Sequence, residues 1–260
     1  MPAEVPCHSS GVPWVESRST SFSARHESAD AADAHAVLAA LEGFRADLGG
    51  LYERLPEEMA VVLHPRAAAL TLAHPWLPLA RRVSAPAGRR YFAGWYTENA
   101  IHVLSPAALE RRASNVEGSR DALLLAPLHE YAHVVVGANS ADLPPPFSIA
   151  AFRRYVHWAW LSEGAATWLS GQTRHLRGAI VRRLREGGRP AFPPAAADAT
   201  LLGGTIYELL EREAGQARAA RLATSELDRG ERSLLVDAFG RPLAGIERDW
   251  RDLLDSMSAS

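Results

Sequence analysis

Cysteine is almost missing from this sequence: Cys7 is the only one among 260 residues. A single cysteine closes no intramolecular disulfide and builds no thiolate metal site, so any metal held here must be bound by histidine and carboxylate. Long apolar runs are missing as well. The longest, Ala122 to Leu128, is far short of the roughly 20 residues needed to cross a bilayer. The start, Met1-Pro2-Ala3-Glu4, lacks the basic and then apolar pattern of a leader, so a cytoplasmic location without membrane partners is expected. Excess charge of either sign is also missing. A net charge of -2 and a pI near 6.6 give no overall field that would draw in nucleic acid, and none is expected as a partner. The pairs Arg153-Arg154 and Arg182-Arg183 read as solvated helix faces.

What is present is ordinary globular material, 47% hydrophobic and 22% charged, in a chain long enough for a sizeable core and one cleft. Residues 1–18, rich in Pro, Ser and Glu without periodicity, predict a flexible N-terminal arm. Ser19 to Glu27 alternates as a strand, and Ser28 or Asp30 can cap the helix that follows. That helix carries Val37, Leu38, Leu41, Phe44, Leu48 and Leu51 at steps of three and four, the stripe of a helix lying on a sheet, and Gly49-Gly50 ends it. Met59 to Leu63 and Ala100 to Leu104 predict two further strands, with a helical stretch from Pro65 to His74 after the first.

From residue 106 the pattern turns helical. A helix capped at Ser119 runs toward Gly137, with Pro127 either kinking it or marking its true start. Ala141 to Phe147, with three prolines, predicts a stiff loop, and a long helix spans Ala150 to Gly171. Further helices fall near 201–214, 216–227 and 243–257, the last presenting Leu243, Ile246, Trp250, Leu253 and Leu254 on one face as a terminal brace. The expected fold class is α+β: a small mixed α/β lobe over residues 19–138, a mainly helical lobe over 139–260, and a cleft between them. Trp158, Trp160 and Trp168 read as core.

The chemistry is concentrated in His129-Glu130-Tyr131-Ala132-His133, the pattern HExxH. On a helix, residues i and i+4 share a face, so both imidazoles can reach one ion, while Glu130 stands about 100° round the axis. It stays out of the ligand set yet close enough to act on a water as general base. Leu123-Leu124-Leu125 and Val134-Val135-Val136 bury this helix, and buried polar groups need partners. A catalytic zinc needs a third protein ligand, which a carboxylate on a neighbouring helix can supply. Trp160-Leu161-Ser162-Glu163-Gly164-Ala165-Ala166 offers one, with small residues that let two helices approach closely.

HExxH followed by Trp-Leu-x-Glu-Gly-x-Ala resembles the gluzincins, the clan of thermolysin and the zinc aminopeptidases. The wider order of elements, up to Gly240-Arg241-Pro242-Leu243 near the end, resembles bacterial peptidase-MA-like proteins. The resemblance implies a zinc-dependent metallopeptidase with His129, His133 and Glu163 as ligands and Glu130 as base, acting on a peptide or protein. It further implies an oxyanion donor from the helical lobe, for which Tyr207 and His175 are the candidates. Asp142 and Asp198 stay open as alternative ligands, whereas His157, about 240° from Glu163 on the expected helix, points elsewhere. The metzincin pattern fails at Val136 and Asn139. Glu163 follows His133 at a spacing of 30, longer than in thermolysin, and the aminopeptidase Gly-Met-Glu-Asn motif is absent. Ala100 to Leu104 would form the upper rim of the cleft, where an extended peptide can add as a strand. A catalytically silent zinc-binding module on the same scaffold is the competing reading.

Overall fold

Apolar alternation around Phe22, Val61 and Ile101 draws the N-terminal half into one five-stranded sheet in the computed structural model, which describes residues 13–74, 76–143 and 148–259. The strands are β1 (Trp14–Arg18), β2 (Phe22–Glu27), β3 (Met59–His64), β4 (Gly94–Tyr96) and β5 (Ala100–Leu104), in spatial order β1-β2-β3-β5-β4. The three inner strands are parallel, and each outer strand runs antiparallel to its neighbour. The chain is therefore mixed α/β, with the helices α1 (Ala31–Leu48), α2 (Ala67–Ala73), α3 (Trp76–Val83), α4 (Pro106–Arg112) and α5 (Ser119–Leu124) interleaved with or following the strands. After them come α6 (Ala126–Asn139), α7 (Ile149–His157), α8 (Ala159–Leu169), α9 (Gln172–His175) and α10 (Arg177–Arg185). The chain closes with α11 (Ala199–Ala214), α12 (Gln216–Ala223), α13 (Glu231–Phe239) and α14 (Leu243–Ala259). Among the described residues no helix is long and apolar enough to cross a membrane.

One face of the sheet is covered by α1 and α6. The predicted stripe on α1 is buried at Val37, Leu38, Leu41, Phe44 and Leu48, and Gly49 stands at its C-cap. Tyr131 of α6 joins this layer edge-on to Phe22 and Phe44, with ring centroids 5.0 and 6.3 Å apart, and its hydroxyl donates to Pro56 O. On the other face, His64 at the end of β3 and His102 on β5 meet His74 after α2. His64 and His102 rings stack, with Nε2 and Nδ1 3.1 Å apart, and the His74 ring lies edge-on to His102.

Several expectations are revised. Residues 14–18 are not part of a loose arm but the edge strand β1, paired with β2 from Trp14↔Glu27 to Arg18↔Ser23. Their exposed, charged composition is what an edge strand carries, and it hid the strand from periodicity. Residues 1–12, with Cys7, lie outside the described residues, as do 144–147 of the triple-proline loop. The helix through Pro127 is two helices that meet at Leu125, and Pro127 sits in the first turn of α6, where its missing N–H costs nothing. The single helix expected over 150–171 also divides, at Trp158 (φ −98°, ψ 19°). β5 is an inner strand, bonded to β3 on one side and β4 on the other, so it is not a free rim.

In the helical part α8 and α11 pack most closely. Gly164 faces Gly203: a Cβ added at Gly164 would fall 2.6 Å from the Gly203 carbonyl carbon. The small residues after Glu163 thus admit α11, not the HExxH helix for which they were expected. Trp158, Trp160 and Trp168 are all buried, and α14 braces α11 through Trp250, whose Nε1 donates to Thr205 Oγ1 at 2.7 Å.

Two measurements test this packing. Gly164→Ala should lower unfolding stability by about 1–3 kcal/mol through overpacking, read as a fall in urea midpoint with unchanged m. The histidine cluster should make stability depend on pH. Burial holds His74 and His102 down to about 4, with neighbouring histidines adding to the effect, and lowers His64 as well. These rings stay neutral in the fold while the unfolded chain takes up protons near pH 6.5, so their contribution is full above that value and is lost as pH falls toward about 4. A His74→Gln/His102→Gln variant should show a flatter fall in urea midpoint between pH 7 and 5.

Candidate metal centre

α6 is buried along most of its length, and its residues divide between two neighbours. Tyr131 points to the sheet and α1, while His129 and His133, four residues apart, turn their rings toward α8. Glu163 comes from the second turn of α8 to meet them. Its Oε2 lies 3.6 Å from His129 Nε2, its Oε1 lies 3.3 Å from His133 Nε2, and the two Nε2 atoms are 3.1 Å apart. All three residues are buried, and the group could hold a metal ion. Bonds of about 2.0–2.1 Å in a tetrahedral arrangement put ligand atoms roughly 3.4 Å apart, close to the 3.1 Å between the two Nε2 atoms and to the 3.6 and 3.3 Å from His129 and His133 to their nearer Glu163 oxygens.

Neighbouring side chains fix each ligand. His133 Nδ1 lies 3.2 Å from Ser162 Oγ; with the proton on Nδ1 it donates there and leaves the Nε2 lone pair facing the centre. Tyr96 of β4 stacks on the same ring at 4.6 Å and 11°. The Tyr155 hydroxyl of α7 donates to Glu163 Oε1, and Thr200 Oγ1 of α11 donates to Oε2 at 3.1 Å. Among the described residues His129 Nδ1 is buried without a partner in hydrogen-bond geometry, with the Gln172 side chain beside it.

Burial alone would push the Glu163 carboxyl up, but hydrogen bonds and charge from the two imidazoles win and hold it well below the usual range. Burial would also lower both histidines. For His129 the Glu163 carboxylate overrides it and raises the ring, whereas for His133 burial prevails, aided by repulsion from His129. The carboxylate between the rings supplies one negative charge toward a cation held there.

Glu130 stands next to this triangle. Its carboxylate lies against β4 where Gly94 leaves room: a Cβ at Gly94 would fall 2.5 Å from Glu130 Oε1. Burial pushes its carboxyl up to about 8, with the His129 ring opposing and the Glu163 charge adding.

Of the residues singled out in the sequence, the structure brings His129, Glu130, His133 and Glu163 together. It does not bring Tyr207, which is fully buried on α11, stacks on Trp168 at 5.5 Å and gives its hydroxyl to Leu161 O at 3.0 Å. Its place as an oxyanion donor is withdrawn, because its hydroxyl is already committed to the core. His175 faces Asp121 at 3.9 Å, and Asp198 is taken by Arg183 in a two-bond pair at 2.5 and 3.0 Å. Asp142 accepts from Leu227 N, and His157 is exposed at the end of α7. Tyr155, Thr200, Ser162, Tyr96 and Gly94 were not anticipated. Only Ser162, adjacent to Glu163, carried a local signal.

No protein-family model matches this chain, and a search of curated proteins finds no match.

The donor set makes a direct prediction. The parent protein should bind one Co2+ per chain, followed by visible absorption under chelator competition, and Glu163→Ala should weaken that affinity by about 100-fold or more.

Proposed function

We propose that this chain is a zinc-dependent metallopeptidase of the gluzincin kind, hydrolysing peptide bonds with His129, His133 and Glu163 as ligands and Glu130 as general base. The observation that carries this reading is the meeting of four side chains, spread over two helices, in one buried cluster whose fourth member lies beside the other three and is not one of them. Two imidazoles and one carboxylate at near-tetrahedral spacing suit zinc, and three protein ligands leave a coordination position for substrate chemistry.

When bound, zinc supplies Lewis acidity that polarises a scissile carbonyl and eases the deprotonation of water. With a dication beside it to offset the burial that raises its carboxyl, Glu130 would accept that proton at the carboxylate seated over Gly94 and return it to the leaving amine. The Tyr155 hydroxyl, committed to Glu163 Oε1, holds that carboxylate in place. Ser162, Thr200 and Tyr96 hold the ligands in register.

In this reading the sheet with α1 and α6 forms one wall of a cleft, α8 and α11 form the other, and a peptide substrate lies between. β1 and β4 are the two edge strands, and β4, which carries Gly94 against Glu130, is the edge beside the cluster that an extended peptide can join. A second reading keeps a specific observation in its favour. His129, Glu130, His133 and Glu163 are each 8% exposed or less, which also suits a metal that only braces the fold of a silent binding module.

Glu130→Gln separates the two. For a peptidase it should keep one zinc per chain and lose casein or peptide hydrolysis by about 100- to 10,000-fold; equal, negligible turnover in parent and variant selects the silent module. Gly94→Ala, whose added Cβ would fall nearest the Glu130 carboxylate, should likewise depress turnover while zinc content stays at the parent level.

A further inference from the structure

All 28 basic residues of this chain are arginine, and the stretch from α3 through α4 gathers several of them where no carboxylate answers. Arg81 on α3 gives Nε and Nη2 to Phe92 O at 3.3 and 2.8 Å and Nη1 to Thr71 Oγ1 at 3.2 Å. Arg90 and Arg112 interlock, each donating to the other's backbone carbonyl, and Arg112 Nη2 also reaches Arg89 O at 3.0 Å. Arg89 in turn gives Nε to Ser84 O at 2.9 Å. Several arginines elsewhere meet acids: Arg183 pairs with Asp198, and Arg241 with Glu213 and Asp249. Among the described residues none of Arg81, Arg89, Arg90 and Arg112 forms such a pair.

We infer that these four guanidinium groups form a binding site for a phosphate-type oxyanion. Backbone carbonyls orient the guanidiniums but do not neutralise them. The C-termini of α3 and α4 offer roughly half a negative charge each, against four full positive charges, so about three remain uncompensated. The cost is visible at Arg112, whose guanidinium is brought down to about 10 by burial and by repulsion from Arg81 and Arg90. A doubly charged tetrahedral anion relieves that repulsion and accepts N–H groups of Arg89, Arg90 and Arg112 that have no partner among the described residues, in the forked geometry that arginine offers and lysine does not. The site is built in advance, because the same carbonyl bonds that leave the charge intact hold the side chains in place.

The site lies on the strap that leads into β4. Ala85 N bonds Ala197 O at 2.8 Å, just before α11, and Arg90 precedes Gly94 by four residues, a reach of at most about 14 Å. The inference stands independently of hydrolysis, since it rests on groups outside the metal cluster.

The test uses the full chain and inorganic phosphate against chloride at matched ionic strength, read by thermal unfolding. The parent should show a saturable rise in midpoint with phosphate. Arg112→Gln should weaken the apparent affinity by at least about tenfold. Arg89→Gln, exposed and held by one backbone bond, should weaken it as well and guards against an Arg112 variant that fails to fold. Arg185→Gln, an exposed arginine on α10, should match the parent. Sedimentation with phosphatidic-acid vesicles identifies the source: pelleting that free phosphate competes away assigns a lipid headgroup, and no pelleting assigns a small phosphorylated ligand. A phosphate shift that is no larger than chloride's, or equal in parent, Arg89→Gln and Arg112→Gln, overturns the site and leaves the arginines as carbonyl caps only.

Discussion

Everything around α6 and α8 depends on burying one carboxylate, Glu163, between two imidazoles. An ionised carboxylate taken out of water without partners is too costly to keep, and it would shed its charge instead. Here four side chains converge on it: Tyr155 and Thr200 donate to its oxygens, and the His129 and His133 rings face it. These groups arrive from α6, α7 and α11, so the position of α8 is set from three sides at once. The electrostatic demand and the packing of the helical part are one constraint.

That constraint explains the division of labour among the neighbours of α8. Toward α6 the contact is polar and made by side chains. Toward α11 it is backbone against backbone, glycine on glycine, with Tyr207 tied to Leu161 O and Trp168 stacked on Tyr207. Tyr131 anchors the opposite side of α6 to the sheet through Phe22 and Phe44. The histidines are thereby carried on a helix held on both flanks, which limits how far the rings can move apart.

What could be seen in the sequence was what local spacing determines. The i, i+4 histidines, the stripe on α1 and the brace at α14 follow from periodicity within one element, and β3 and β5 from short apolar, β-branched runs. Glu163 was reachable through the likeness of its motif to a known clan, and no spacing rule would have linked it to His133. Tyr155 and Thr200 become neighbours of Glu163 only after α7 and α11 dock, and nothing in their own segments signals it. The break at Trp158 has neither proline nor glycine to mark it, and β4 is three residues long, too short for alternation to show. Tyr207 was misjudged because following the ligand helix in the chain says nothing about which way a side chain turns; its face of α11 meets the core.

Gly164 immediately follows the carboxylate that joins the histidines, and it rests on the backbone of Gly203. The separation between these two helices therefore acts as a spacer for the third corner of the cluster. Metal sites discriminate on bond lengths to within about 0.2 Å. Residues on α11 that never meet an ion are thus in a position to calibrate its affinity, by shifting a helix axis instead of a ligand.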